Sequence, residues 1–433
     1  MSDDGSMIDD SSCSNDGDMI IHLPSIGMFD ERRLLFDAGK ALLAACTEGD
    51  LEVVRGLLTL KDRKLLRLKD LDVNFIIERE RLPETPLIAA CQNGHLEVVR
   101  ELLKQPSLDV NCGLDRGLHF DSSPLIEASV MNHWEIVREL LNYGNVGVGD
   151  ALRFAVAEGH FVMVCELLKH DSVNVNYADS CGDTPLIIAS HWDNWEIARE
   201  LLKHNDVDVN IVNGLVDYDG NVLEIPQSNG SRSQILVELL NPHKRLDLEI
   251  AYVNTPLIAA SLFGYFQVVR ELLKHDKVDV NIGIEYGHTP LVLASCFGGY
   301  KVVRELLKHE NVDVNFAVEC GYTPLTLASH MEHWDVVGEL LKHNKVNFNV
   351  QCKFGFTVLM WASLKGKIEV VSELLKRDNL DRELKNVAGS TALDVARNSG
   401  WTEIATLLEQ HHSNPVKSRK HANLVKSRKR MRG

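Results

Sequence analysis

The chain has 433 residues, 45% of them apolar and 25% charged, with a net charge of −16. That composition is normal for a folded protein, long enough for two or three ordinary domains or for one long repeat array. It excludes a membrane-spanning chain, because no run of about 18 apolar residues occurs.

The charge is unevenly placed. Residues 1–30 carry seven Asp and no Lys or Arg; residues 414–433 carry eight Lys or Arg and no acid; between them 38 basic residues face 55 acidic ones, a balance of −17. The body should repel nucleic acid, whereas the tail should attract polyanions. The opening, MSDDGSMIDDSSCSNDGD, is acidic where a secretory signal needs basic and then apolar residues. Residues 1–18 hold few apolar groups, which predicts disorder. MIIHLPSIGMF (19–29) is apolar but interrupted by Pro24 and Gly27; it reads as a loosely packed leader or a short docking peptide. Nine cysteines are scattered without C-x-x-C pairs, which predicts reduced thiols in the cytosol or nucleus.

A repeat dominates the rest. Thr-Pro-Leu occurs at Thr85, Thr184, Thr255, Thr289 and Thr323, with variants at Ser123, Thr357 and Thr391. From Thr255 the starts at 289, 323, 357 and 391 follow at intervals of 34. Weaker units begin near Lys40, Asp150 and Asn221, which makes eleven, and the irregular steps of 45, 38, 27 and 37 residues all fall in the N-terminal half. Thr85 is a suitable N-cap and Pro86 suits the first helical position. LIAACQN gives a short helix ended by Gly94, and HLEVVRELLK gives a second with Leu96, Val99, Leu102 and Leu103 on one stripe. Such helix pairs bury their apolar faces only by stacking.

G-x-T-P-L, A-A-x-x-G-H-x-E-V-V and L-L…D-V-N resemble the ankyrin repeat over roughly residues 37–412, best in 287–315. The resemblance implies an all-α solenoid of about eleven helix-turn-helix units with β-hairpin fingers, flanked by an acidic leader (1–36) and a basic tail (413–433). Two departures stand out. The family's His after Thr-Pro-Leu is replaced by Ile88, Ile126, Ile187, Ile258 and Val292, and the Gly that ends the family's second helix gives way to LLKHD, LLKHN or LLKHE.

Other features follow in chain order. LKDRKLLRLKD runs on from the first unit's second helix and should project as an extended helix or a loop. Trp134, Trp195 and Trp334 start second helices where other units have Leu96, Phe161 and Phe266, and read as core. Arg100, Arg138, Arg199, Arg270 and Arg304, each followed by Glu, read as a solvated face with weak ion pairs. His170, His204, His275, His309 and His343 end second helices and suit the helix dipole better than a metal. Asp217-Tyr-Asp219-Gly220 fails the calcium-loop pattern. Pro226 falls inside the first helix of the Asn221 unit, which predicts a frayed joint cut by protease between 212 and 233. His330 and His333 lack the spacing of a zinc helix. Polar residues in STALDVARNSGWTEIATLLEQHH suit a terminal cap.

No catalytic or phosphate-binding motif occurs, so neither an enzyme nor a cofactor is expected. The resemblance places binding residues in the fingers just before Thr and in the two residues before the helix-ending Gly, lining one concave surface. Those positions hold Tyr252, Leu262, Phe263, Tyr286, His288, Cys296, Phe297, Tyr322, His330, Met331, Phe354, Phe356 and Lys365. Alanine at Tyr286, Phe297, Tyr322 and Phe354 together is expected to abolish partner capture with the fold intact. In the tail, V-K-S-R-K occurs twice, and Lys417, Arg419, Lys420, Lys426, Arg428, Lys429, Arg430 and Arg432 resemble a nuclear-import signal. The reading is a monomeric cytoplasmic or nuclear scaffold or adaptor for an unidentified protein. The alternative is a nuclear regulatory factor whose tail touches nucleic acid weakly while the repeats hold a protein.

Overall fold

The computed structural model describes residues 31–59, 71–78, 83–111, 123–144, 146–179, 182–213, 255–283, 287–318 and 321–412. Among them are ten helix pairs. The inner helices are Glu31–Glu48, Pro86–Gln92, Pro124–Val130, Val148–Ala157, Pro185–His191, Pro256–Phe263, Pro290–Cys296, Pro324–His330, Val358–Leu364 and Ala392–Asn398. The outer helices are Leu51–Thr59, Leu96–Leu103, Trp134–Tyr143, Phe161–Leu167, Trp195–Leu201, Phe266–Leu272, Tyr300–Leu306, Trp334–Lys342, Ile368–Leu375 and Thr402–His412. Inner helices pack on inner and outer on outer. One apolar core therefore runs from Leu42 to Leu408. No helix of the described residues is long and apolar enough to cross a membrane.

Local chemistry sets each helix. Thr85, Thr184, Thr255, Thr289 and Thr323 accept from the amide three residues on at 3.2–3.4 Å, and Pro fills the next position. Each such cap contributes about 1 kcal/mol. Inner helices end on a left-handed residue. In the Ile368 pair this is Gly366 at φ 71°, where a Cβ would lie 2.5 Å from the Trp401 ring. Asn132, Asp193 and Glu332 take the same conformation at φ 60°, 56° and 63°.

The LLKH segments turn without glycine. His170, His204, His275, His309 and His343 donate their amides three residues back to Leu167, Leu201, Leu272, Leu306 and Leu340 at 3.0–3.1 Å, so the last turn tightens. Their Nδ1 atoms accept the amide two residues on at 3.3–3.4 Å. The Ile and Val residues that replace the family's His are buried.

Asparagines tie the loops of neighbouring units. Asn281 Nδ2 donates to the Asn311 carbonyl at 2.7 Å while its Oδ1 accepts from the Asp313 amide at 2.8 Å. Asn74, Asn176, Asn315 and Asn349 make the same two bonds to the next loop. On the other side, His95, His133, His160 and His333 donate Nε2–H to the carbonyls of Thr47, Gln92, Val130 and Cys296 in the preceding unit.

Ten of the eleven expected units lie among the described residues. The unit near Asn221 lies outside the described residues, and the units on either side of it are direct neighbours. Pro185–His191 packs on Pro256–Phe263 and Trp195–Leu201 on Phe266–Leu272. The His191 ring meets the Phe263 ring edge-on at 5.7 Å. Asn210 makes its two bonds to Lys277 and Asp279. Thr184 and Thr255 are 71 residues apart, one period of 34 and 37 residues more. Residues 214–250, within that excess, lie outside the described residues, as does most of the 212–233 segment where a frayed joint is expected.

The fingers also differ from full hairpins. Among the described residues only Ile77–Glu78 and Pro83–Glu84 pair as strands, antiparallel. Elsewhere a tight turn is closed by two backbone bonds: the Val318, Cys352 and Asn386 amides donate to the Tyr322, Phe356 and Ser390 carbonyls at 3.0 Å, and the Gly321, Gly355 and Gly389 amides donate back to the Val318, Cys352 and Asn386 carbonyls at 2.7–2.8 Å. The extension LKDRKLLRLKD and the leader up to residue 30 lie outside the described residues. The last outer helix buries Ile404, Ala405 and Leu408 and exposes Thr402, Glu403, Thr406, Glu409 and Gln410, a water-facing end.

Candidate partner-binding surface

The residue just before the left-handed helix end forms a column along seven successive described inner helices: Met131, Glu158, Trp192, Phe263, Phe297, Met331 and Lys365. These side chains follow the last core residue of the helix, and the left-handed residue then turns the chain away. Trp192 is 67% exposed, Phe263 46% and Phe297 37%; Met331 is half-buried. Because the Thr184 and Thr255 units are neighbours, Trp192, Phe263, Phe297 and Met331 belong to four consecutive units. Sequence reasoning missed Trp192. The segment His191-Trp192-Asp193-Asn194 has no glycine to mark the helix end, and Asp193 takes that role.

Three of the finger and helix-end candidates are not surface residues. Tyr322 is 0% exposed and His288 6%, and Cys296 is buried as well. Tyr322 and Cys296 belong to a second apolar cluster with Val292, Val318, Leu327 and Cys352, between fingers and inner helices. The residue before the capping Thr turns inward here, because the tight finger turn leaves it facing the helix rather than solvent. The fourfold alanine change at Tyr286, Phe297, Tyr322 and Phe354 would thus empty part of this cluster instead of sparing the fold. Burial pushes the Cys296 thiol up to about 12, so it is unreactive.

Leu262, Met331 and Phe356 are half-buried. His330 lies between Tyr322, at 5.4 Å, and Trp361, at 4.6 Å, and Phe356 packs on Trp361 at 4.6 Å. Phe354 is exposed at a finger tip, where its carbonyl accepts the Val387 amide at 3.1 Å and the Lys353 ammonium sits 5.1 Å from its ring. Lys365 pairs with Glu332 of the preceding unit at 2.7 Å. Tyr252, Tyr286 and the basic tail residues from Lys417 to Arg432 lie outside the described residues.

Charge is graded along the column. Near Trp192, Glu158 is exposed, and burial raises the carboxyls of Asp193 and Asp183 above the usual carboxylate range. Arg153 is engaged by Asp150 at 3.2 Å and Asp179 at 3.1 Å. Burial holds His191, His288 and His330 below the ordinary imidazole value; Asp183 partly offsets this at His191, while Lys365 adds to it at His330.

The outer helices carry the arginine–glutamate rows. Arg100 pairs with Glu139 at 2.6 Å, Arg270 with Glu305 at 2.8 Å and Arg304 with Glu339 at 2.7 Å, each across to the next unit. The expected core role of the tryptophans is only partly met. Trp195 and Trp334 pack against the core, but Trp134 is among the exposed residues. Arg138 lies over Trp134 at 4.9 Å and Arg199 over Trp195 at 5.2 Å. No cluster of three metal-ligating side chains occurs among the described residues.

The family model described as ankyrin repeats (3 copies) matches residues 41–150, 145–213, 227–317, 285–351 and 325–420. The chain belongs to the ankyrin repeat family. The ankyrin repeat is generally a protein-interaction module and typically not a catalytic one. No curated protein matches the chain.

Proposed function

We propose that this ankyrin array is a scaffold or adaptor that holds a protein partner along the row Trp192, Phe263, Phe297 and Met331. The observation that supports this is the exposure of three large aromatic side chains in consecutive units, at positions the core does not use. Contiguous exposed aromatic surface of this kind marks interfaces on soluble proteins. The inner helices are fixed by caps and by packing on both neighbours, so a partner would meet a preformed surface and little ordering entropy would be lost.

The test is affinity capture by the full chain against the triple variant Trp192→Ala, Phe263→Ala and Phe297→Ala, read by mass spectrometry. Loss of specific partners, with circular dichroism unchanged, is the expected result. An unchanged partner set would remove the row as the interface.

A further inference from the structure

We infer that the row takes an amphipathic helical segment whose apolar face is flanked by lysine or arginine at the Trp192 end. This rests on the row being the interface, and adds what the partner must look like.

Spacing comes first. Matching side chains of adjacent units lie about 10 Å apart, the distance between packed helices. A helix rises about 1.5 Å per residue, so residues seven apart sit about 10.5 Å apart on one face. A β-strand presents same-face residues about 7 Å or about 13 Å apart, out of step with the row. Trp192 to Met331 spans three such steps, which a helix of about 20 residues covers.

Charge supplies the second constraint. Glu158 stands in the same column one unit before Trp192 and is exposed. Asp193 adjoins Trp192, and its Oδ1 is buried without a hydrogen-bond partner. Arg153, on the inner helix one unit before Trp192, is held by Asp150 and Asp179. Trp192, 67% exposed, follows Glu158 by one unit in the column and precedes Asp193 in the chain, and its indole face suits a cation. At the far end Lys365 and Glu332 neutralise one another, so the demand for positive charge is confined to one end. The excess of acid over the whole chain, a net charge of −16, favours the same partner sign at longer range.

Selection of random 20-residue peptides displayed on phage, using the full chain as bait, tests this. The expected consensus has apolar residues seven apart and Lys or Arg beyond one end. Binding of the selected peptides should weaken about tenfold on Asp193→Asn with Glu158→Gln, a pair that keeps the left-handed residue 193 tolerable, and should lose its salt dependence. An acidic or neutral consensus, a proline-rich one with a spacing of three, or a basic one unmoved by those two changes would overturn the inference while leaving the row as interface. Peptides that bind equally well to the Trp192→Ala, Phe263→Ala variant would overturn the row itself.

Discussion

Asn210 and Asp279 are 69 residues apart in sequence and hydrogen-bonded in space: the Asp279 amide donates to Asn210 Oδ1 at 2.8 Å. Its other amide atom, Nδ2, donates to the Lys277 carbonyl at 2.7 Å. The same pair of bonds joins Asn281 to residues 30 and 32 further on. The joint after Asn210 thus carries the same two bonds as the other asparagine joints of the array.

Deleting 214–250 should leave the array folded. It would place seven residues between Asn210 and Thr255, the number found between Asn281 and Thr289. Thermal unfolding and helicity per repeat are expected to be unchanged. Loss of cooperative unfolding would contradict the direct stacking.

Asn210→Ala removes two inter-unit hydrogen bonds and should cost roughly 1–2 kcal/mol. The cost should be the same in the full chain and in the deletion variant, measured by urea denaturation. A cost seen only in the deletion variant would mean that Asn210 has another partner in the full chain.

Tyr322→Ala and Trp192→Ala should separate stability from binding. Emptying the space of a fully buried aromatic costs about 3–5 kcal/mol, and Tyr322 is 0% exposed. Trp192→Ala is expected to change stability by less than about 1 kcal/mol. Equal destabilisation by both would place Trp192 in the core.

Acid should weaken the array in two windows. Burial holds His191, His288 and His330 below the ordinary imidazole value of 6.5, so the unfolded chain binds these protons first. Stability should fall as pH drops below about 6.5 and level off once the folded imidazoles are protonated. His288→Phe should flatten that window. A second loss should begin near pH 4.5, where the unfolded chain takes up protons before the folded Glu101, Glu305, Glu339 and Glu373, each lowered first by a bond from Lys or Arg; Asp183 and Asp193, raised by burial, act oppositely. Chemical denaturation from pH 8 to 3 reads both. A flat profile between 7 and 5 would show that these imidazoles keep their unfolded affinity for protons.

Much of this was legible in the sequence. Thr-Pro-Leu at a 34-residue period carries its own helix start, and Gly94, Gly264 and Gly298 carry its end. The direct stacking across Asn210 was not, because NVLEIPQSNG stands 34 residues before Thr255, in register with the repeat. Nor was the inward turn of Tyr322 and His288. Position in a finger says that a residue is near the surface, but the turn's closing bond decides which way it faces. Trp192 stayed hidden because Asp193, not glycine, adopts the left-handed backbone.

The asparagine bridges lie along the loops, two bonds at the majority of the described joints, whereas among the described residues the fingers on the opposite edge are joined across units at fewer places, such as Asn213 to Asp183 and Val387 to Phe354. Bending the array therefore pivots about the loop edge and changes the separation of the fingers. A partner seated along the inner helices would stiffen the whole solenoid against flexing, even though it touches only a few of the units.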